Sequence, residues 1–496
     1  MDIFVTVLII LLAIVIFLFA FVLIRTSLFL RAGDMVEPVD LPEVDDAVIA
    51  EHVAAAVRCP TVSQSREAEP DPVAFKQLHY ALESLYPRVH STLEIATISD
   101  FSLLYTWRGS NPELPAVVFC GHLDVVPADP ASLEQWEHPP FSGDIADEYV
   151  WGRGTLDNKM QVVSLLYAAE QLIRQGFQPE RTIYLAFGHD EEIGGEQGAK
   201  KIAAYLEKRE EQFDIVLDEG GAMVLDILPG VDAPVALVGT AEKGFLNVRL
   251  SVERTGGHSS APPPSTAIGI LSRAITSIED RPLPVRLAAI RTTYRALGAA
   301  VSPWMQMVFA NSWLFGGILR KKLQSSPQSN ATVRTTTAVT VVKGGIKDNI
   351  LPPKAEALVN FRLFPGDSIA KVCEHVRDAV DDRNVEIEAQ EGSAWEASPV
   401  TPSDSTAFES LSRVIRQVFP GVEVAPYLVL GATDARHYCK ICTQVLRFTP
   451  LVLEKEDLER MHGVNERVST AALGRMVQFF IYLMREWAGG AADTQS

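Results

Sequence analysis

Thr182-Ile183-Tyr184-Leu185-Ala186-Phe187-Gly188-His189-Asp190-Glu191-Glu192 runs from an apolar, strand-like segment into two adjacent carboxylates, and the flexible pair Gly194-Gly195 follows. Adjacent carboxylates repel, so a chain seldom sets two of them at a strand end without cations nearby. Taken alone, the pair reads as a solvated acidic turn before a helix. Its company decides otherwise. Upstream, Gly121-His122-Leu123-Asp124 follows the strand-like Pro115-Ala116-Val117-Val118-Phe119-Cys120, and Gly152-Arg153-Gly154-Thr155-Leu156-Asp157 comes next. Downstream, Asp218 ends Phe213-Asp214-Ile215-Val216-Leu217, and His462 stands in Met461-His462-Gly463. Two histidines and several carboxylates on strand ends and loops are the donor set of a hard-to-borderline divalent metal.

Working outward, short apolar runs alternate with helical periods: strands near 101–107, 115–120, 181–187 and 213–217, helices near 159–175 and 195–208. That alternation predicts an α/β sheet flanked by helices. Each candidate ligand then lies just beyond a strand's carboxyl end, where open α/β sheets place their sites. Near Lys243 the pattern changes to alternating strands at 245–252, 338–342 and 355–363 with helices near 265–279 and 368–381, a small α+β unit inserted into the larger fold. The segment 281–328 carries Trp304, Met305, Met307, Val308, Phe309, Trp313, Leu314, Phe315 and Ile318. Two readings stand for it: a helix packed on a sheet, or an exposed apolar surface serving a greasy substrate, a dimer contact or a membrane. Past Pro399 the α/β pattern resumes with helices near 404–418 and 466–487.

The chain has 496 residues, 47% of them hydrophobic and 22% charged, enough for two or three domains with sizeable cores. A formal charge of −19 leaves no basic stripe to neutralise phosphates, which argues against nucleic acid as a partner. Residues 3–24 are apolar except for Thr6, and roughly 20 such residues span a bilayer. Asp2 precedes the run in place of a basic start, so it reads as an uncleaved single-pass anchor in preference to a signal peptide. Arg25 and Arg31 on its C-terminal side weakly favour a cytoplasmic position for the remainder of the chain. The five cysteines are odd in number and scattered, so no disulfide framework is readable, and Cys439 and Cys442 read as structural.

The motifs Gly121-His122-Leu123-Asp124-Val125-Val126-Pro127, Gly152-Arg153-Gly154-Thr155-Leu156-Asp157-Asn158-Lys159, Gly188-His189-Asp190-Glu191-Glu192 and His462-Gly463-Val464-Asn465-Glu466 together resemble the co-catalytic zinc amidohydrolases that include carboxypeptidase S, carboxypeptidase G and aminoacylase. Gly257-His258-Ser259-Ser260, Arg334-Thr335-Thr336-Thr337 and Val359-Asn360-Phe361-Arg362 resemble the N-fatty-acyl-amino-acid synthase/hydrolase branch. The resemblance implies an α/β catalytic domain with a mixed sheet, an inserted ferredoxin-like lid domain and, from the sequence, one N-terminal transmembrane helix. The boundaries expected are 1–31 for the anchor, 32–46 for a solvated linker rich in Asp, Glu and Pro, 47–242 and 398–490 for the catalytic domain, and 243–397 for the lid, which in relatives also mediates dimerisation.

Carried over by motif position, His122 and Asp218 hold one of two zinc ions, Glu192 and His462 hold the other, and Asp157 bridges them; cobalt or manganese would also suit such a site. Asp124 would fix the tautomer of His122. Because neighbouring side chains on an extended segment point opposite ways, Glu191 is left facing substrate as the general base. The resemblance makes His258 the residue that holds the oxyanion, in cis or from a partner subunit, and Asn349 and Arg362 the residues that bind the substrate carboxylate. Gly431, Thr433 and Asp434 belong to a Gly-x-Thr-Asp-x-Arg loop that either lines the substrate site or caps a helix. The resemblance also places the catalytic domain outside the cytoplasm, against the vote of the two arginines. The expected activity is hydrolysis, and formation by reversal, of the amide between an acyl group and an amino acid with a free carboxylate. Rival readings are a carboxypeptidase acting on short peptides and a membrane-tethered module that only binds.

Overall fold

The computed structural model describes residues 3–29, 36–209, 211–225, 230–231, 233–390, 392 and 394–489. Arg31, residues 32–35 of the expected linker and residue 490 of the expected catalytic domain lie outside the described residues.

The apolar runs at 115–120, 181–187 and 213–217 form adjacent parallel strands, Ala116–His122 between Ile183–Gly188 and Phe213–Asp218. Their side chains are buried almost without a break, because helices cover both faces; continuous apolar runs are what such strands need. One face packs against helices Asp46–Val57, Lys159–Arg174 and Thr470–Ala488, where Trp487 stacks on Phe119 at 5.5 Å between ring centroids. The other is covered by Ala199–Glu207 and the short helix Ala435–Tyr438. Among the described residues the sheet has ten strands and is mixed. Glu94–Ile98 and Ser102–Trp107 extend it antiparallel on one side, and Val445–Arg447, Val235–Glu242, Met223–Val224 and Val452–Leu453 extend it on the other, with Glu423–Val429 pairing parallel to Val235–Glu242.

A second, four-stranded antiparallel sheet orders Thr336–Gly344, Lys354–Leu363, Gly244–Glu253 and Glu386–Ala389. Lys354–Leu363 alternates buried and part-exposed positions along its length, the period-two signature of a sheet covered on one side. Helices Ala267–Glu279 and Ile369–Val380 supply the cover and share a separate core with it, including Leu271, Ile278, Phe361 and Val376.

Two expectations are corrected. Helices Ala288–Ala296, Pro303–Ala310 and Ser312–Leu323 lie inside the expected lid span, yet their apolar stripe (Tyr294, Val308, Phe309, Leu319) packs on Val235, Leu237 and Ala425 of the large sheet. Residues 36–45 of the expected solvated linker are not solvated throughout: Glu37, Pro38, Asp40, Glu43 and Asp45 are exposed, but Leu41 and Val44 pack on the main core, Gln478 Nε2 donates to the Pro42 carbonyl at 2.8 Å, and Asp45 caps the next helix. At the start of the chain, Ile3–Phe29 is one helix, long and apolar enough to cross a membrane.

Candidate metal centre

The three central parallel strands end on the residues that build the site. His122 is the last residue of its strand, Glu191 and Glu192 open a 3-10 turn three residues past Gly188, and Glu219 follows Asp218 directly. Asp157 comes from the loop ahead of Lys159–Arg174, and His462 from the loop after Lys455–Arg460, with a left-handed φ of 60°.

These side chains meet as two triads sharing Asp157. His122 Nε2 lies 2.9 Å from Asp157 Oδ1 and 3.2 Å from Glu219 Oε1; His462 Nε2 lies 3.0 Å from Asp157 Oδ2 and 3.3 Å from Glu192 Oε2. Within each triad the candidate ligand atoms fall within 4.8 Å of one another. Each oxygen of Asp157 therefore faces a different histidine, the disposition of a bridging carboxylate.

Asp218 is not brought to the cluster. It ends the strand, buried, with Oδ2 lacking a hydrogen-bond partner among the described residues, while Glu219 turns toward His122 and receives a hydrogen bond from Asn158 Nδ2. Successive side chains of a strand point to opposite sides, so a step of one residue exchanges which acid faces the site. The sequence carried the sign of this: Asp218-Glu219-Gly220-Gly221 repeats the pattern of paired acids ahead of paired glycines in Glu191-Glu192-Ile193-Gly194-Gly195. Glu192 joins the His462 triad and Glu191 does not, but the extended backbone expected to part them is absent. They sit in a 3-10 turn, where neighbours are about 120° apart, not on extended backbone.

The donor set fits divalent metal ions. It offers two imidazole nitrogens and carboxylates from Asp157, Glu192 and Glu219, and the buried Glu192 Oε1 has no hydrogen-bond partner among the described residues. Burial pushes the Glu192 and Glu219 carboxyls up to about 7, and the Glu191 carboxyl well above its ordinary range. Hydrogen bonds that His462 donates to Asp157 and Glu192 hold its pKa up at about 10; burial opposes protonation of His122, but Glu219, Asp124 and Asp157 outweigh it and raise its pKa as well. Such surplus negative charge around two imidazoles calls for cations, and bound dications would displace these protons.

Orientation is supplied from behind. His122 Nδ1 lies 2.9 Å from the Asp124 carbonyl and 3.3 Å from Asp124 Oδ1; donation there would leave the Nε2 lone pair toward the cluster once a dication displaces the Nε2 proton. The Asp124 carboxylate also accepts from the backbone N–H groups of Glu191 and Glu192, at 3.1 and 3.2 Å. Glu466, fully buried, accepts from the N–H groups of Gly154, Leu156 and Asp157 and from Arg153 Nη1 at 2.6 Å. Arg153 Nη2 in turn donates to the carbonyls of His462 and Gly463. One buried ion pair thus ties the Asp157 loop to the His462 loop, a role that sequence reasoning did not give to Glu466, although it closes the His462 motif.

The centre opens into a cavity of about 820 Å³, within the range of small-molecule sites. Glu191, Arg362, Gly431 and Thr433 line it; the Thr433 hydroxyl is spent on Glu242 at 2.9 Å. Arg362 lies 4.8 Å above the Phe245 ring, Phe245 stacks on Trp395, and Arg436 covers Trp395 at 4.3 Å. Another part of the wall is apolar, with Met160, Val224, Leu237, Leu451, Leu453 and Met461. Asp434 is not part of the lining: it is buried behind Gly188 and Gly195 with neither oxygen hydrogen-bonded among the described residues, and it does not cap its helix through its side chain. His258 and Asn349 are not brought to the centre. Both are exposed on the ribbon Gly257–His258/Ile350–Leu351, where His258 Nδ1 pairs with Ser260 Oγ at 2.8 Å and the Asn349 carbonyl accepts from Ser259 N–H. All five cysteines are free; Cys439 and Cys442 contact backbone carbonyls, in keeping with a structural role.

Residues 118–486 match the family described as peptidase family M20/M25/M40. The chain is 40% identical over 451 residues to an N-fatty-acyl-amino acid synthase/hydrolase of Xenopus tropicalis, covering 90% of this chain and 87% of the relative. It is 39% identical over 446 residues to a probable carboxypeptidase S-like protein of Dictyostelium discoideum, covering 89% and 85%. Among solved structures, an M20 family metallo-carboxypeptidase from Sulfolobus solfataricus superposes with a TM-score of 0.64 at 17% identity, over 90% of this chain and 99% of that one.

Proposed function

The chain belongs to peptidase family M20/M25/M40, and from that premise we propose that it is a membrane-anchored di-zinc amidohydrolase acting on N-acyl amino acids with a long acyl chain and a free carboxylate. The observation that carries this reading is one cavity lined at once by Glu191, by Asp157, Glu192, Glu219 and His462 of the two triads, by Arg362 and by an apolar wall, with His122 buried behind it. His122, Asp157 and Glu219 would hold one ion, Asp157, Glu192 and His462 the other, with Glu219 in the place first expected of Asp218. Bound there, the ions supply Lewis acidity to the substrate carbonyl and to water.

The protein's own residues do the rest. Glu191, beside the triads and raised in pKa by burial, takes a proton from the attacking water and hands it to the amine nitrogen as the C–N bond breaks. The Arg362 guanidinium, stacked on Phe245 and facing the cavity, binds the amino acid's carboxylate with its planar fork. The apolar wall takes the acyl chain, each buried methylene contributing about 0.8 kcal/mol. Run backward, the same arrangement joins a fatty acid to an amino acid. His258 lies outside the cavity, so its task at the oxyanion requires delivery by the partner subunit of a dimer or by movement of the small domain. His258 and Asn349 share one ribbon, and whatever delivers one delivers both.

The Dictyostelium relative's name supports carboxypeptidase action as the second reading. Purified protein given N-oleoyl-phenylalanine and a blocked dipeptide side by side decides between them. The expected result is a kcat/KM at least about tenfold higher for the oleoyl substrate, the equivalent of ~1.4 kcal/mol; a preference for the dipeptide would reverse the assignment.

A further inference from the structure

The N-terminal helix is tied to the body through its C-terminal end. Arg25 Nη2 donates to the Ala310 carbonyl at 3.4 Å, and Asn311 Nδ2 donates to the Val22 carbonyl at 3.2 Å and to Thr26 Oγ1 at 3.1 Å. Val22 and Phe29 are buried there, whereas residues 3–21 are exposed apart from Thr6. Those 19 residues make about 28 Å of helix at 1.5 Å per residue. A bilayer's hydrocarbon layer is about 30 Å thick. If the helix spans, the membrane surface falls between Phe21 and Arg25.

What stands at that level is an apolar platform. The Trp313 ring lies edge-on to Phe21, 6.0 Å between centroids. Trp313 is the second residue of the helix Ser312–Leu323, whose exposed face carries Trp313, Leu314 and Ile318, then Lys321 and Lys322 one turn on. The preceding helix, Pro303–Ala310, exposes Trp304 at 61%, and Ile318 is 70% exposed. Tryptophans beside greasy aliphatics, with lysines at the far end, are the composition of a helix lying in the headgroup region. Beneath the platform, Val224 and Leu237 serve two structures at once: they pack with Phe29, Val308, Phe309 and Leu319, and they line the catalytic cavity.

We propose that the helices at 303–323 lie embedded in the interfacial layer of a phospholipid bilayer around the anchor, so that the apolar wall of the cavity faces the membrane and the acyl amide is drawn from the lipid phase. This rests on reading residues 3–29 as a membrane span. It adds a second, monotopic contact and a source for the substrate.

Full-length protein reconstituted in phosphatidylcholine vesicles tests it, with lipid brominated either near the headgroup or near the chain end as a quencher of tryptophan emission. None of the seven tryptophans lies in the N-terminal helix. The expected result is stronger quenching by the shallow label, lost in Trp304→Phe/Trp313→Phe. Quenching that persists in the double variant, or its absence in the parent, overturns the proposal. Alkaline carbonate washing reports on the anchor separately: protein that stays with the vesicles yet escapes bromine refutes the platform alone, and protein that washes off refutes the span and the platform with it. As a functional arm, Leu314→Glu/Ile318→Glu should lower turnover of vesicle-borne N-oleoyl amino acid severalfold and leave that of a water-soluble N-acetyl amino acid unchanged. Equal turnover of the vesicle-borne substrate contradicts delivery from lipid. A detergent-solubilised dimer that this variant loses would assign the face to a second copy of the chain instead.

Discussion

The His122 side of the centre and the His462 side are built by different means. His122 is 1% exposed and stands on a central strand, with Glu219 at the end of the neighbouring one. His462 is 50% exposed, carries a left-handed backbone and comes from a loop. The first side is placed by the sheet's own hydrogen bonding. The second depends on the buried Arg153–Glu466 pair, which reaches the His462 carbonyl through one partner and the Asp157 N–H through the other. One half is thus set by secondary structure and the other by a tertiary clamp, and the clamped half is the more exposed of the two.

The largest effect should come from the residue both halves serve. Glu191→Ala is expected to lower kcat by about 10²–10⁴-fold, the contribution of a positioned general base, with metal content by elemental analysis equal to the parent's. Retained turnover would remove Glu191 from its role. Next, the two acids at the end of Phe213–Asp218 separate the strand-built half from its backing. Glu219→Gln should weaken metal binding on the His122 side by at least about 100-fold, whereas Asp218→Asn should weaken it by less than about tenfold. The reverse order, read by competition with a chromogenic chelator, would return Asp218 to the ligand set.

The clamp itself is tested by Glu466→Gln. The expected outcome is a loss of metal affinity of about 10–100-fold, felt first by the ion at His462. An equal loss at both ions would mean that the two halves are not independently held. The smallest effect should fall outside the metal cluster: Arg362→Ala is expected to raise KM for carboxylate-bearing substrates about tenfold, since hydrogen bonds between charged groups contribute about 1.5 kcal/mol or more. KM for the corresponding amides should hardly move. Equal shifts for both would refute a carboxylate contact.

Much of the centre was legible before the fold was known. His122, Asp157, Glu192 and His462 stand in compact motifs whose residue types admit few other uses, and the structure brings all four together. Glu219 was missed because its neighbour Asp218 is the same chemistry one position earlier, and only the strand's termination decides which of them turns inward. His258 and Asn349 are adjacent to each other but remote from the cavity that they were expected to serve. Spacing along a chain carries no information about a domain's position relative to its neighbour.

By itself, the sequence determined the period of each element, the donor chemistry and the apolar N-terminal run, because these depend on residue type and local repeat. Strands near 115–120 and 181–187 and helices near 159–175 and 404–418 came out within a few residues of those observed. Only the tertiary structure decided which of two adjacent acids faces a metal, that Glu466 clamps two loops, and that the helices between 288 and 323 leave the small sheet for the large one. Those outcomes depend on the direction of a side chain and on competition between apolar surfaces far apart in the chain, and neither is written in any local stretch of residues.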